Sequence, residues 1–191
     1  MVENNYLLKQ VFFPDHMQEI GRLRIQAWRD EPGINTTFFS RNAWIESIDH
    51  LAYHWVVMKN NLVVAAARMS IHTSLDDVPY ANLLPDALRP QFSQRRIASI
   101  NRLVVDPLFR GTGLARMLDQ ARLDMARRVG ADVVLAQPQL TRLSALLKLG
   151  FSYVCELPRI PEMPERPLFF MELNVNELSA QSTDALNGMD V

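Results

Sequence analysis

The feature that most constrains the fold lies at residues 100–130, where an apolar strand passes through a short glycine turn into an amphipathic helix. The apolar run that opens this segment predicts a mostly buried strand, and Asp106-Pro107 ends it because proline cannot donate to a strand ladder. Apolar residues then recur at helical spacing, and Gly130 stands where a left-handed C-terminal cap is expected. This succession predicts an α/β domain built around a strand–turn–helix unit.

The turn between this strand and this helix has the composition of an anion-binding loop. Gly111 and Gly113 let successive backbone N–H groups point into one concavity at the positive end of a helix, which suits a phosphate or pyrophosphate. The loop does not match a P-loop, because no lysine follows Gly113. A dinucleotide-binding fingerprint fits poorly because Arg116 occupies its third glycine position. The spacing therefore predicts a phosphate site of another kind.

The pattern that fits is Arg-x-x-Gly-x-Ala, after a strand that ends in Leu-Val-Val-Asp-Pro. It resembles the coenzyme A signature of the GCN5-related N-acetyltransferase (GNAT) superfamily. The resemblance implies that the loop amides bind the coenzyme pyrophosphate and that the strand backbone pairs with the pantetheine arm and the thioester. The implied cofactor-binding residues are Leu103, Val104, Val105, Arg110, Gly111, Thr112, Gly113, Leu114 and Ala115. The alternative is a turn whose glycines serve geometry alone.

The order of predicted elements is strand, two helices, three strands, helix, strand, helix and two strands. This order is similar to the GNAT acyl-CoA N-acyltransferase fold, an α/β (α+β) fold with a mixed central sheet of about seven strands flanked by four helices. The strands are expected at 6–13, 54–59, 62–73, 96–105, 132–136, 151–157 and 168–174. The helices are expected at 14–28, 41–49, 113–129 and 140–149, with a further short helix at 85–92.

Composition predicts one globular domain over residues 1–174 and a polar, mobile tail over 175–191. The net charge of −1 gives no reason to expect a nucleic-acid partner, and no apolar run is as long as a membrane span. Cys155 is the only cysteine, which favours a reducing cytoplasm and a packed strand thiol. Four scattered histidines show no metal-ligand spacing, so no metal is expected. Dimers are common in the family that the sequence resembles, and this alone favours a homodimer.

Acyl transfer from a thioester to an amine needs a held coenzyme, a donor to the carbonyl oxygen, a deprotonated amine and a proton for the leaving thiolate. The catalytic candidates beside the fourth strand are Ser99 and Asn101, which we expect on one face of that strand and able to orient water or substrate. His72 is the best-placed titratable side chain, although a polar residue at a strand end is the commoner role. Glu156 is a further candidate base, with a solvent-facing role as the alternative.

The proton donor is where the sequence departs from the family it resembles. Many relatives have a tyrosine four residues before the Gly-Phe pair, and Leu146 occupies that position here. Tyr153 or Tyr80 would replace it only if the fold brought one of them near the sulfur. Otherwise solvent protonates the thiolate, which is a fair leaving group because a thiol pKa lies near ~8.5.

The sequence gives little information about the substrate that accepts the acyl group. In the family that the sequence resembles, it lies against the loop between the first two helices and the connection before the fourth strand. The residues offered there are Phe38, Phe39, Trp44, Arg89, Arg95, Arg96 and Arg102. Converging arginines would suit an anionic acceptor, whereas a solvated rim of arginines and an aromatic core are the structural alternative.

Three functional hypotheses follow. The first is an N-acetyltransferase that uses acetyl-CoA on a primary amine of a small molecule. The second is an acyltransferase that draws a longer chain from acyl carrier protein or acyl-CoA, with an amino acid as acceptor, because Asn101-Arg102-Leu103 resembles such relatives. The third is a non-catalytic sensor that binds coenzyme A, which the leucine at position 146 keeps open.

Overall fold

The computed structural model describes residues 5–176. Its seven strands are Leu7–Val11 (β1), Tyr53–Lys59 (β2), Leu62–His72 (β3), Ile97–Val105 (β4), Val133–Ala136 (β5), Ser152–Glu156 (β6) and Phe169–Asn174 (β7). They form one mixed sheet in the order β1-β2-β3-β4-β5-β7-β6. The α-helices are Met17–Gln26 (α1), Leu114–Arg128 (α2) and Leu140–Leu147 (α3), with short 3-10 segments between. The predicted α/β fold with a seven-stranded mixed sheet is confirmed.

Two compact units make up the chain. The first contains the described residues up to Ser70 together with Ile100–Asp124 and Arg159–Arg166. The second contains Ile71–Ser99, Met125–Pro158 and the described residues from Pro167 onward. None of the helices between residues 5 and 176 is both long enough and apolar enough to span a membrane.

The first unit is built on the antiparallel strands β1, β2 and β3. Asn60 and Asn61 join β2 to β3 with φ angles of 49° and 63°, so the predicted hairpin forms through two left-handed asparagines. Helix α1 buries one apolar face against the sheet because its apolar residues recur at helical spacing. The core cluster formed in this way contains Val11, Met17, Ile20, Leu23, Ala27, Val56, Ala66 and Val104.

The segment 41–49 differs from the predicted helix. Its helical part is a 3-10 turn at Ser47–His50, and the residues before it are irregular or extended. Two contacts explain the difference. The amide of Trp44 donates to the carbonyl of Gly21 at 3.0 Å, and the amide of Glu46 donates to Oδ2 of Asp49 at 2.8 Å. A helix over residues 41–49 would break both contacts, so they favour the irregular conformation.

The second unit contains β5, β7 and β6, paired antiparallel in that order. Phe92 and Phe170 pack in its core with ring centroids 5.8 Å apart. The predicted helix at 85–92 is a 3-10 helix over Asp86–Phe92 that contains Pro90. Cys155 is half-buried in β6, and burial raises the pKa of its thiol, which disfavours the reactive thiolate.

The predicted tail, residues 175–191, lies outside the described residues except for its first two positions. Val175 is buried, and its amide donates to the carbonyl of Asp132 at 3.1 Å. The described part of the tail therefore belongs to the folded second unit.

Candidate functional site

The glycine loop follows β4 in the first unit. Asp106 ends the strand by capping a 3-10 turn at Pro107–Phe109, where Oδ1 of Asp106 accepts from the amide of Leu108 at 2.9 Å. Gly111 and Gly113 come next with φ angles of 77° and 87°, a left-handed region that L side chains rarely adopt. A Cβ atom at either glycine would meet nothing within 4 Å. These glycines therefore serve the backbone conformation and leave the space before the loop open.

Helix α2 begins directly after this loop. The amide of Met117 donates to the carbonyl of Gly113 at 3.1 Å, which is a first-turn bond of the helix. The amides of Leu114, Ala115 and Arg116 precede this bond, and such amides have no acceptor within their own helix. Residues 111–113 are exposed, so the positive end of the helix dipole faces an accessible surface. The loop therefore has a backbone conformation that suits an anion, and its binding of a pyrophosphate stays a prediction.

The Arg110 side chain is engaged within the first unit. It donates to Oε1 of Glu31 at 2.5 Å and to the carbonyl of Ala27, at the end of α1, at 2.8 Å. Arg166 donates to the other oxygen of Glu31 at 3.0 Å. The hydrogen bond from Arg110 is the largest cause of a lowered pKa of Glu31. The guanidinium of Arg110 thus ties the loop to α1, in addition to any charge that it lends to an anion.

Five charged side chains of the first unit form a second feature, called here the buried ion network: Arg24, Glu46, Asp49, Arg68 and Arg102. Arg24 donates to both oxygens of Asp49, at 2.8 and 2.9 Å. Arg68 Nη1 lies 2.8 Å from Oδ1 of Asp49 and 2.9 Å from Oε2 of Glu46. Glu46 also accepts from Nε and Nη2 of Arg102, both at 2.7 Å. The network is a continuous chain of alternating charges.

The network is closed at one end and partly open at the other. Arg24, Asp49 and Arg68 are fully buried, whereas the Glu46 side chain is 29% exposed and that of Arg102 is 12% exposed. The Arg102 guanidinium lies over the ring of Trp44, 4.0 Å from its centroid. A buried charge is tolerated only when it is paired, and each carboxylate here accepts at least two guanidinium contacts.

These contacts keep both carboxylates ionised. Burial raises the pKa of Glu46, but the hydrogen bond and charge of Arg102 and the charge of Arg68 outweigh it and lower that pKa to about 2. The pKa of Asp49 is likewise held well below its ordinary value, by Arg24 against the effect of burial. Burial lowers the pKa of His54, whose Nε2 donates to the carbonyl of Asp49 at 2.9 Å. Because their pKa values are lowered, the carboxylates of Glu46 and Asp49 are poor general bases at neutral pH.

Strand β4 carries a left-handed kink at Arg102, where φ is 51°. This conformation costs a residue with a Cβ atom about 1–3 kcal/mol, so the surroundings must hold it. Residues 97–100 are all buried, so burial does not separate the two faces predicted for Ser99 and Ile100. The opposite faces predicted for Asn101 and Arg102 are not kept, because the left-handed residue interrupts the strand and both side chains contact the ion network.

The three predicted catalytic residues occupy different surroundings. Oδ1 of Asn101 accepts from Nε of Arg68 at 2.6 Å, which joins Asn101 to the buried ion network. Ser99 is fully buried in the second unit. His72 is also in the second unit, at the end of β3, with 8% of its surface exposed. Their catalytic roles stay predictions.

The residues considered for proton transfer lie in the second unit. Leu146 is buried in α3, as an apolar core residue is expected to be. Tyr153 is 54% exposed on β6, and its ring packs near that of Phe169 at 6.2 Å. Tyr80 has a left-handed backbone and caps a 3-10 turn, and Glu156 is exposed at the end of β6.

The predicted acceptor residues separate into an aromatic group and individually paired arginines. Phe38, Phe39 and Trp44 pack edge to face with centroid distances of 5.0 to 5.7 Å. The alternative of an aromatic core fits this group, since Phe39 and Trp44 are buried.

The remaining arginines have other partners. Arg89 is paired with Asp76, and Arg95 donates to Asn174. The backbone amide of Arg96 donates to Oδ2 of Asp132 at 2.7 Å. The side chains of Arg89 and Arg95 are thus each bound to a partner, and Arg96 is bound through its backbone.

The buried ion network was not predicted from the sequence, although the sequence contains a signal for it. Arg24 stands between Leu23 and Ile25 in the apolar run of α1, and Arg68 follows three alanines in β3. A charged residue at an apolar position of a predicted buried element indicates a buried ion partner. The partners Glu46 and Asp49 could not be identified, because their segment was expected to form a helix.

Among residues 5–176, no group of three or more His, Cys, Asp or Glu side chains is placed to hold a metal ion. The described geometry offers the open glycine loop at the start of α2 and the kinked strand that leads into it.

Comparison with known proteins assigns this arrangement to a family. The sequence profile of the Acetyltransferase (GNAT) family matches residues 15–151, most of the chain. No curated protein sequence matches the chain significantly.

Solved structures show the same fold. FeeM, an N-acyl amino acid synthase from uncultured soil microbes, matches with a TM-score of 0.70 and 16% identity, over 92% of this chain and 94% of that chain. Arylalkylamine N-acetyltransferase 2 from Aedes aegypti matches with a TM-score of 0.67 and 17% identity, over 91% and 100%.

The protein yncA from Salmonella typhimurium, solved with its cofactor acetyl-CoA, matches with a TM-score of 0.59 and 18% identity, over 88% and 94%. At these identities the likeness shows the fold and leaves the substrate open. The profile match, the seven-stranded sheet and the glycine loop together show that this chain belongs to the Acetyltransferase (GNAT) family.

Proposed function

We propose that this protein is an N-acetyltransferase that transfers the acetyl group of acetyl-CoA to a primary amine of a small molecule. The observation that carries the proposal is the open glycine loop at the start of α2. Its left-handed glycines, at positions 111 and 113, and the first amides of α2 would form a site for a pyrophosphate. Membership of the GNAT family supports acyl transfer as the reaction.

The reaction proceeds by direct attack in a ternary complex. The deprotonated amine attacks the thioester carbonyl, and backbone N–H groups of Leu103–Val105 donate to the oxygen that gains charge. The C–S bond then breaks, the new C–N bond gives an amide, and the proton lost by the amine balances the proton gained by the coenzyme thiolate. Water accepts the amine proton in this proposal, since the network carboxylates are too weakly basic.

A second candidate is transfer of a longer acyl chain, from acyl carrier protein or acyl-CoA, to an amino acid. The likeness to FeeM, an N-acyl amino acid synthase, favours it. In both candidates we propose a small-molecule acceptor, no nucleic-acid or membrane partner, a cytoplasmic location and a homodimer.

The experiment is calorimetric titration of the protein with acetyl-CoA. Gly113→Val should weaken binding at least about tenfold, because valine both resists the left-handed conformation and fills the space before the loop. Gly130→Val is the matched control, since Gly130 also has a positive φ, 68°, and open space at its Cβ position, but at the other end of α2. That control should bind acetyl-CoA like the wild type.

The outcomes separate the candidates. Equal binding by the two variants, or no binding of acetyl-CoA by the wild type, would contradict the proposal. Turnover with an acyl carrier protein that carries a long acyl chain, and none with acetyl-CoA, would instead support the second candidate. Binding of coenzyme A with no transfer to a broad amine panel would favour a non-catalytic sensor.

A further inference from the structure

The kink in β4 is held from both sides by the buried ion network. Arg102, the left-handed residue, is fixed by the two-point pair with Glu46 and by the ring of Trp44. The preceding residue, Asn101, is fixed by Nε of Arg68 through its side chain and by Arg122 Nη1, 3.4 Å away, through its carbonyl. Two successive residues of one strand are thus held by side chains of other elements.

One buried residue joins these two supports. Arg68 Nη1 contacts Glu46 and Asp49, while its Nε donates to Asn101. Asp49 is in turn fixed by Arg24 from α1. Helix α1, the turn at 47–50 and β3 therefore act together on the position at which β4 has its left-handed residue.

Fixed geometry at this position matters for the residues that follow. Residues 103–105 continue β4 directly after the kink, and rotation at residue 102 sets the direction of their N–H groups. A backbone donor stabilises a developing oxyanion only when it is already aimed at that oxygen. A shift of about 1 Å in such a group lowers the rate about 100-fold.

We infer that Arg68 and Glu46 are positioning residues, which hold the left-handed kink at Asn101-Arg102 and so aim the backbone of Leu103–Val105 for acyl transfer. The inference rests on the proposed function for its catalytic part. Its structural part, the dependence of the kink on the network, stands on the contacts alone. In this inference the network acts through the strand.

The first test measures the kink itself. A left-handed residue gives an unusually strong NMR cross-peak between its own amide and Hα protons, because these lie close together at positive φ. We expect that signal at residue 102 in the wild type and its loss in Arg68→Met. Persistence of the signal in a folded Arg68→Met protein would overturn the inference.

The second test acts at the kink itself and leaves the fully buried charges of Arg24, Asp49 and Arg68 in place. Arg102→Gly and Arg102→Val lose the same ion pair, but glycine adopts positive φ freely and valine resists it. We expect Arg102→Gly to keep a kcat about 10- to 100-fold above that of Arg102→Val, with equal affinity for acetyl-CoA. Asp76→Asn, which removes a charge from the exposed pair with Arg89, should leave kcat unchanged.

The outcomes distinguish this inference from the proposed function. Equal kcat values for Arg102→Gly and Arg102→Val would overturn the positioning role while leaving acyl transfer intact. Failure of the wild type to bind or use any acyl thioester would remove the proposed function. The NMR measurement would then still decide whether the network holds the kink.

Discussion

Arg24 and Asp49 form a two-point ion pair with N–O distances of 2.8 and 2.9 Å, and neither side chain is accessible to solvent. Arg24 also donates to the carbonyl of Trp44 at 3.0 Å. Helix α1 is therefore joined through one guanidinium to both the loop and the turn that follow it. This pair is the fully buried end of the network that reaches β4.

The first prediction concerns the stability of this pair. Arg24→Met leaves Asp49 buried with fewer partners, and we expect the free energy of unfolding to fall by about 3–5 kcal/mol. Arg89→Met is the matched control, because its partner Asp76 is 77% exposed and such pairs contribute about 0–1 kcal/mol. Urea denaturation of the three proteins measures both changes. A loss in Arg24→Met no larger than in Arg89→Met would show that the buried pair adds nothing to stability.

The second prediction concerns the stability of the protein at low pH. The pKa of Glu46 is about 2 in the folded protein and 4.5 in its ordinary state, and the pKa of Asp49 is also lowered. As the pH falls, the unfolded chain therefore takes up protons first, and the free energy of unfolding decreases. His54 acts in the same direction from its ordinary pKa of 6.5 downward, because its folded-state pKa is lowered. We expect stability to fall from about pH 6 to about pH 2.

Urea titrations at a series of pH values measure this slope. In Glu46→Gln the decrease between about pH 5 and pH 2 should be smaller, by at most about 3 kcal/mol, since the titrating group is gone. The variant will also be less stable at neutral pH, because Arg68 and Arg102 lose a charged partner. An unchanged acid slope would mean that Glu46 is not held ionised in the folded state.

The third prediction concerns Arg110. Because its guanidinium is engaged with Glu31 and the Ala27 carbonyl, we expect Arg110→Ala to weaken the attachment of the loop to α1. The change in free energy of unfolding should be small, about 1 kcal/mol or less, for a half-exposed pair. Glu31→Gln should change both the stability and the affinity for acetyl-CoA to a similar extent as Arg110→Ala does. If Arg110→Ala weakened coenzyme binding strongly and Glu31→Gln did not, the arginine would contact the coenzyme directly.

The fourth prediction concerns the position where many relatives have tyrosine. Leu146 is buried, so Leu146→Tyr must fit a larger side chain into a packed site, and we expect a loss of about 1–3 kcal/mol. Acyl transfer should persist in the folded fraction, since the wild type already works without this tyrosine in the proposed mechanism. Leu147→Tyr, at a position that is 52% exposed, is the control for adding a tyrosine to α3. Thermal melts and initial rates measure both effects, and total loss of activity with the fold intact would show that Leu146 is needed for packing or for accommodating the acyl group.

Local sequence signals predicted much of the fold. Alternating and helical apolar spacing located all seven strands and the three α-helices to within a few residues. Asn60 and Asn61 indicated a hairpin because asparagine tolerates positive φ, and both residues adopt it. Asp106-Pro107 ended β4 as expected. In these places the information is local, since a residue's own conformational preference decides the structure.

The glycine loop was predictable for the same reason. Gly111 and Gly113 stand between a strand and a helix, and their positive φ angles follow from that position. The motif also pointed to the family that the profile match shows. What it could not show is that the Arg110 side chain is bound to Glu31, because the two residues are distant in sequence.

Tertiary structure alone decided the conformation of residues 41–49 and of Arg102. The first segment was predicted to be a helix, but hydrogen bonds that its amides donate to Gly21 and Asp49 hold it as a loop and a turn. The sequence of β4 reads as a regular strand, yet Arg102 is left-handed. By itself the sequence determined the strands, the helices and the glycine loop, whose conformations follow from neighbouring residues. Only the tertiary structure decided the ion network and the kink, because their energies come from charges that are brought together by folding.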